Sequence, residues 1–587
     1  MKKPIIWTIF VQLRESVKLI SFGNASNNEE LGNKMQTKLS FADDFALLDS
    51  AEWSQSESDK GQIYTRPEVV EFMITAIGLN SVEDFEKARI LEPSCGEGEF
   101  VVALVRRLLS SFKRRPSIKK LKGKLLAVDF VSSSIEIART KVNALLIDRG
   151  YKEEEIEVLL DGWFQCCDFL LTDIQGKFTH VIGNPPYVRV ESVPKPLLFE
   201  YRQRFSTMTD RADLYVAFYE KALSHLEENG KLSFICTDRW TKNTYGRSLR
   251  KLISDRYGLE LFIDLYGIDA FEKDVMTYPA ITQISKRGCE ETILKHQTTF
   301  SLDEANEICQ ALNGQKTSLQ KRKGIVEAGK PWLLGSADEL ALIHKIEAKY
   351  PLLENAGCKV FIGAATGANK IYIIDEKQKQ DFEPCRTLPT VTAYELKKGK
   401  IDWQGKYLIN TYDKNGVIQL EEFPKLKSYL FKHKEALQTR HVAKNDNNRW
   451  FKTIDRVYEE RAKSEKLLIP DISSDPVVIY DKGDFHPNNS IYYVCSTEWN
   501  LHALRVILLS NITKLFITTY STKIAKGYLR FQSQHLRKIC LPLWDDLSSS
   551  LKTELINAGK NDQFDIFTKL SAEAYKLTKK DKNIIGI

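Results

Sequence analysis

The sequence predicts an α/β protein whose first half is a Rossmann-like, mostly parallel sheet with helices on both faces. Three observations carry this reading. Short apolar runs (ARILEP, KLLAVDF, FTHVIGNPP, GKLSFICT and LELFIDLYG) recur between residues 61 and 290, each ending in polar or turn residues. Helix-like segments separate them, among them FVVALVRRLLSSF, SSSIEIARTKVNALLIDRG and ADLYVAFYEKALSHLEENG. Such alternation implies crossover connections, which place helices on both faces of a parallel sheet. The chemically unusual residues also fall at strand ends, where sheets of this kind bind ligands.

At 587 residues the chain is too long for one ordinary domain. Hydrophobic residues make up 43% and charged residues 28%, enough for a buried core. A net charge of +7 permits an anionic partner without demanding one. The ten cysteines form no CxxC pair, and Cys166 and Cys167 are adjacent. That pattern fits reduced cytoplasmic thiols and neither a zinc site nor a disulfide framework, so no metal is expected. The N-terminus, MKKPIIWTIFVQLRESVKLI, has the outline of a signal peptide, but Arg14, Glu15 and Lys18 interrupt it and no small-residue cleavage site follows. No other segment approaches the roughly 18 apolar residues of a membrane span. A soluble cytoplasmic chain without membrane contact is expected, with Met35 an alternative start after the polar stretch NASNNEELGNK.

Composition divides the chain into an N-terminal extension (1–60), a sheet domain (61–290), a polar linker (291–335), a second domain (336–545) and a charged, helical tail (546–587). The second domain lacks the strand–helix rhythm. Its short strand-like pieces KIYIID, GKYLIN, PVVIY and SIYYV, with helical stretches around 420–440 and 498–518, predict a mixed α/β fold.

Four signals in the sheet domain carry chemistry. In ILEPSCGEGEF a strand ends at Glu92, Pro93 follows, and Gly96 and Gly98 form a tight turn into a helix. Glycines let backbone pass close to a bound nucleotide, and a strand-end acid can hold an amino or hydroxyl group. Asp129 closes the next strand, where a carboxylate suits two ribose hydroxyls; the basic insertion SFKRRPSIKKLKGK lengthens its spacing from the glycines. Asp168, in FQCCDFLL, stands at the expected following strand end and can accept from an adenine amino group. An acid at either position is, taken alone, more often a cap or a solvated turn residue.

The fourth signal, VIGNPPYV, is more specific. Pro185 and Pro186 lock the backbone and remove two donors, so the turn presents acceptors. The Asn184 side-chain oxygen and the Pro185 carbonyl can both accept from one amino group, with the Tyr187 ring beside them. An aromatic amine is a poor nucleophile because its lone pair is delocalised into the ring. Two acceptors pulling on its hydrogens localise that pair, aim it at a methyl carbon and stabilise the positive charge that develops.

In motif order the chain resembles the gamma-class, Taq-type adenine methyltransferases of restriction–modification systems. GQIYTRPEVVEFMI (61–74) resembles their cofactor-capping motif, and the glycine turn, Asp129, Asp168 and NPPY follow. ADLYVAFYEKALSHLEENGKLSFICTDRWTKNTYGRSLRKLI (212–253) resembles their middle motifs, and DAFEKDVMTYPAITQI (269–284) their late motif. KVFIGAATGANKIYII, LPTVTAYELKKGKI and NSIYYV through KGYLRFQSQHLRKICLPL resemble the family's target-recognition domain. The resemblance implies a class I S-adenosylmethionine-dependent fold, S-adenosylmethionine as cofactor and double-stranded DNA as partner, with a separately encoded restriction endonuclease plausible. It further implies that Tyr64, Thr65 and Pro67 line the methionine end of the cofactor, and that Phe271 packs against a target base stacked on Tyr187. Lys523, Lys526 and Arg530 are expected to grip phosphates.

The alternatives are weaker. Cytosine ring methylation needs a cysteine after proline, and the one such pair, Pro384–Cys385, lies outside the sheet domain. Cytosine amino methylation usually begins the tetrad with serine. Glutamine- and RNA-guanine-methylating enzymes share such tetrads but lack so large a second domain. No PD…ExK nuclease pattern is present, since Pro470–Asp471 has no following ExK. A non-catalytic DNA-binding subunit would have no reason to keep the tetrad, Asp129, Asp168 and Phe271 together.

Overall fold

The computed structural model describes residues 63–265, 268–272, 279–296, 299–397, 399–521 and 528–587. The proposed N-terminal extension and two of the expected phosphate contacts, Lys523 and Lys526, lie outside them.

Nine strands form one sheet: β1 Ile90–Glu92, β2 Leu125–Asp129, β3 Phe164–Cys166, β4 Phe178–Gly183, β5 Leu226–Thr237, β6 Gly258–Asp264, β7 Pro279–Ser285, β8 Glu291–His296 and β9 Lys321–Lys323. Their order is β3-β2-β1-β4-β5-β7-β6-β8-β9. Strands β1 to β5 are parallel, and β7 runs antiparallel between β5 and β6. The order reverses between β1 and β4, and the crevice at such a switch point is where ligands bind in open α/β sheets.

Helices cover both faces. On one side Pro67–Ala76, Glu99–Ser111, Ser132–Asp148, Glu153–Trp163 and Leu302–Leu312 share a core. On the other, Lys195–Arg204, Tyr215–Ser224 and Arg247–Arg256 pack against the sheet around Trp240 and Trp332. The helix Glu99–Ser111 buries Phe100, Val101, Leu104, Val105 and Leu108, the spacing of one helical face.

Two sequence expectations fail here. The segment 291–335 is not a linker: β8 pairs with β6, β9 with β8, the helix Leu302–Leu312 packs in the first core, and Trp332 is fully buried. Its polar composition misleads because edge strands and amphipathic helices expose most of their residues. The run ADLYVAFYEKALSHLEENG also changes state midway. Its helix stops at Ser224, and LEENG opens β5, pairing Leu226 with Phe178.

Residues 337–587 form the second unit. Cys358–Ile362, Ile491–Ser496, Lys466–Pro470 and Ile479–Asp481 make an antiparallel sheet, and a second sheet joins Ile373–Asp375, Lys406–Ile409, Thr387–Val391 and His486–Pro487. The helices of the expected tail, Ser549–Lys560 and Phe567–Ala574, bury their apolar faces in the same core as Leu501–Leu508 and Asn511–Tyr520. A Cβ at Gly559 would lie 2.1 Å from the His502 carbonyl oxygen, so glycine is what lets two of these helices touch. The tail is therefore part of the second domain.

The two units meet at Lys242, whose Nζ donates to the Thr518 and Ser521 carbonyl oxygens, each at 3.2 Å, at the end of the helix Asn511–Tyr520. Among the described residues no single helix is long and apolar enough to cross a membrane.

Candidate active site

The cavity at the switch point is built from the carboxyl ends of β1, β2, β3 and β4. Gly98, at φ +100°, caps the helix Glu99–Ser111, and a Cβ there would press on Ala138 and Val101 at 3.1 and 3.2 Å. This conformation folds the glycine turn back so that the Gly96 amide donates to Asp129 Oδ2 at 2.8 Å. Asp129 Oδ1 accepts from the Val131 amide at 2.9 Å. The carboxylate retains acceptor capacity for a ligand. Asp168 is held likewise: Oδ1 accepts from the Leu170 and Leu171 amides at 2.7 and 3.3 Å, and Oδ2 from the Tyr201 hydroxyl at 2.6 Å.

Tyr64, Thr65, Glu92, Pro93, Gly96, Asp129, Asp168, Asn184 and Pro186 all line this one cavity. Pro67, Gly98, Pro185, Tyr187 and Phe271 do not. Pro67 is exposed at the first position of the helix Pro67–Ala76, where its fixed φ suits helix entry.

The charge of the wall is one-sided. Glu92, Glu99, Asp129 and Asp168 line it, and no lysine or arginine does among the described residues. Burial pushes all four carboxyls up. Glu92 is raised furthest, first by burial and then by the neighbouring Glu99 and Asp129 carboxyls; it is 1% exposed and its Oε2 has no hydrogen-bond partner. Such a wall repels phosphate and favours a cation. Phe130, Val131, Phe169 and Phe218 also line the cavity and offer apolar faces to a planar heterocycle.

Asn184 follows β4 directly. Its Nδ2 donates to the Ile63 carbonyl at 2.8 Å and to Thr65 Oγ1 at 3.2 Å, while Ser94 Oγ donates to the Asn184 carbonyl at 3.0 Å. Because Ile63 O can only accept, the amide is turned so that Oδ1 faces away from it. That oxygen is buried and unpartnered, although a buried acceptor normally has a partner.

Tyr187 and Phe271 meet edge to face, ring centroids 6.1 Å apart with 77° between planes. This leaves no slot for a third ring between them, so the expected stacking pair is closed against itself. Phe271 is held by its backbone through the bridge to Thr65.

Sequence reasoning missed Glu99, Phe130, Phe169, Tyr201 and Phe218. Phe130 and Phe169 each directly follow an aspartate singled out at a strand end, a signal that was there to read. Tyr201 and Phe218 sit on helices, and only the fold brings them to the cavity.

The site is thus a cofactor-type cleft in a doubly wound sheet, in a chain that carries a separate mixed α/β domain. Residues 108–271 match the Eco57I restriction-modification methylase family, and residues 388–542 the TaqI-like C-terminal specificity domain. The chain is similar to the type II methyltransferase M.XhoI of Xanthomonas vasicola, 39% identical over 542 residues, covering 90% of this chain and 99% of that one. It is equally similar to M.PaeR7I of Pseudomonas aeruginosa, 39% identical over 539 residues, covering 90% and 93%. Among solved structures it is similar in fold to the type IIL restriction-modification enzyme MmeI in complex with DNA, with a TM-score of 0.61 and 13% identity over 88% of this chain and 75% of that one. The chain belongs to the type II DNA methyltransferases of restriction–modification systems.

Proposed function

We propose that the chain methylates the exocyclic amino group of adenine in duplex DNA, with S-adenosylmethionine as methyl donor. The observation that carries this reading is Asn184 Oδ1, a buried acceptor without a partner beside an acidic cavity. An incoming amino group supplies the missing donor.

The residues present fit the cofactor. Glu92, with an orphaned oxygen, and its carboxylate neighbours suit a ligand bearing an ammonium and a sulfonium. Asp129 suits the ribose hydroxyls, and Asp168, with Phe130 and Phe169 in the same lining, suits the adenine. When bound, S-adenosylmethionine supplies an electrophilic methyl carbon. Asn184 Oδ1 and the Pro185 carbonyl then draw on the hydrogens of the target amine, as acceptors aimed at developing positive charge do. The target adenine has to leave the helix to reach them, which costs a few kcal/mol. Stacking of the base on Tyr187 and Phe271, worth about 1–3 kcal/mol per contact, offsets much of that cost once their edge-to-face contact opens. Residues 337–587, with Arg530 among the phosphate contacts, choose the sequence. A separately encoded nuclease cutting that same sequence is the natural counterpart.

The test is to incubate the purified chain with labelled S-adenosylmethionine and DNA and to digest the product to nucleosides. N6-methyladenine is expected. N4-methylcytosine would move the reading to the cytosine amino group, and an unlabelled digest from several DNAs would overturn it.

A further inference from the structure

Tyr201 stands apart from every motif, yet it reaches the cavity. It lies on the helix Lys195–Arg204, begun eight residues after the tetrad tyrosine, and is 2% exposed. Its hydroxyl donates to Asp168 Oδ2 at 2.6 Å. Three residues along, Arg204 Nη1 donates to the Leu171 carbonyl at 2.7 Å, so the helix grips the Asp168 loop at two points. With Oδ1 on the Leu170 and Leu171 amides, the carboxylate plane is fixed from both sides. Burial pushes Asp168 up, and the tyrosine bond opposes that push.

We propose that Tyr201 is the positioning residue that holds Asp168 in the orientation that selects a 6-aminopurine over a 6-oxopurine at the nucleoside end of the cofactor. This rests on the reading of the cavity as an S-adenosylmethionine site. A 6-amino group donates to the Asp168 carboxyl, fixed by its three partners. A 6-oxo group presents an acceptor to it and is repelled. Without the tyrosine hydroxyl, Oδ2 loses the partner that fixes it and the carboxyl can turn from this alignment, so the distinction fades.

The experiment is calorimetric titration of the full chain with S-adenosylhomocysteine and with its S-inosyl analogue, in wild type, Tyr201→Phe, Asp168→Asn and the double variant. Wild type is expected to prefer the adenosyl ligand by about tenfold or more, as sites built to pair a polar group do. Tyr201→Phe is expected to shrink the preference to about twofold by weakening the adenosyl ligand alone. Adding Tyr201→Phe to Asp168→Asn should change the preference no further. Equal weakening of both ligands by Tyr201→Phe would mean that the tyrosine merely supports the fold, and an unchanged preference would leave it no role; either overturns the proposal. A wild type that binds both ligands equally removes Asp168 as selector and the proposal with it. A wild type that binds neither overturns the cofactor reading itself.

Discussion

Thr65 and Phe271 pair across an antiparallel bridge, although one precedes the first strand of the sheet and the other follows its sixth. The Arg66 amide donates to the Ala270 carbonyl at 3.1 Å and the Glu272 amide to the Tyr64 carbonyl at 3.0 Å, completing a short ladder. The same Thr65 receives the Asn184 amide on its hydroxyl. One strip of backbone thus ties the capping segment, the tetrad and the aromatic residue together. Thr65→Val keeps the buried shape and removes the acceptor. Loss of about 1 kcal/mol of hydrogen bonding should let the amide turn and lower turnover about fivefold, measured as single-turnover methylation.

Asn184→Ala removes the acceptor itself. Turnover should fall by about 100-fold or more, the cost of losing one preorganised group at a developing charge. S-adenosylhomocysteine binding, measured by calorimetry, should stay within about threefold, since the lost contacts to Ile63 and Thr65 are neutral hydrogen bonds near the cofactor's edge. A variant that kept a tenth of its turnover would remove Asn184 from the chemistry.

Asp129→Ala should weaken cofactor binding by about one to three kcal/mol, as for a charge-assisted bond. It also frees the Gly96 and Val131 amides, so Asp129→Asn, which keeps one acceptor, should lose less. Equal affinity in all three proteins would make Asp129 a turn-holding acid and nothing more.

Much of this site was legible before the fold was known. Glu92, Asp129 and Asn184 announce themselves because a strand end has to be marked locally, by the residue that closes it and the glycine or proline that turns the chain. The polar run 291–335 misread as a linker shows the limit. Pairing of β8 with β6 is a long-range event, and nothing within ETILKH distinguishes an edge strand from a loop. The tail misled for a similar reason: Leu555, Phe567 and Leu570 are buried only because the helix Leu501–Leu508 lies against them. The edge-to-face closure of Tyr187 on Phe271 depends on a contact between distant segments and had no local sign.

The acidic wall makes cofactor binding depend on pH. Glu92 sits well above the usual carboxylate range, by burial first and the Glu99 and Asp129 carboxyls next. A raised acid in the folded state means that the ligand-free protein loses stability as pH climbs past the ordinary carboxylate value. A cation settling beside Glu92 reverses this by favouring the ionised form, so binding releases a proton. Affinity for S-adenosylmethionine should therefore rise with pH across that interval and level off once Glu92 ionises unaided. Glu92→Gln should flatten the slope. Calorimetry in buffers of different ionisation heat would count the proton directly.

Exchange of the specificity domain should change the methylated sequence while leaving the modified base unchanged. The exchanged segment has to run from 337 to 587. A cut at 545 would strip Leu555, Phe567 and Tyr575 from a shared core, and each large-to-small loss there costs about 3–5 kcal/mol. Chimeras made with the shorter segment should aggregate, and those with the longer one should methylate the donor's site, read by single-molecule sequencing. A long chimera that kept the original target would overturn the division of labour.

Lys242 fastens the catalytic unit to main-chain carbonyls of the second unit, at Thr518 and Ser521. A carbonyl is the same whichever amino acid carries it. A joint of that kind is blind to drift on its far side, so a lineage can trade one recognition surface for another while its reaction centre stays anchored by the same lysine.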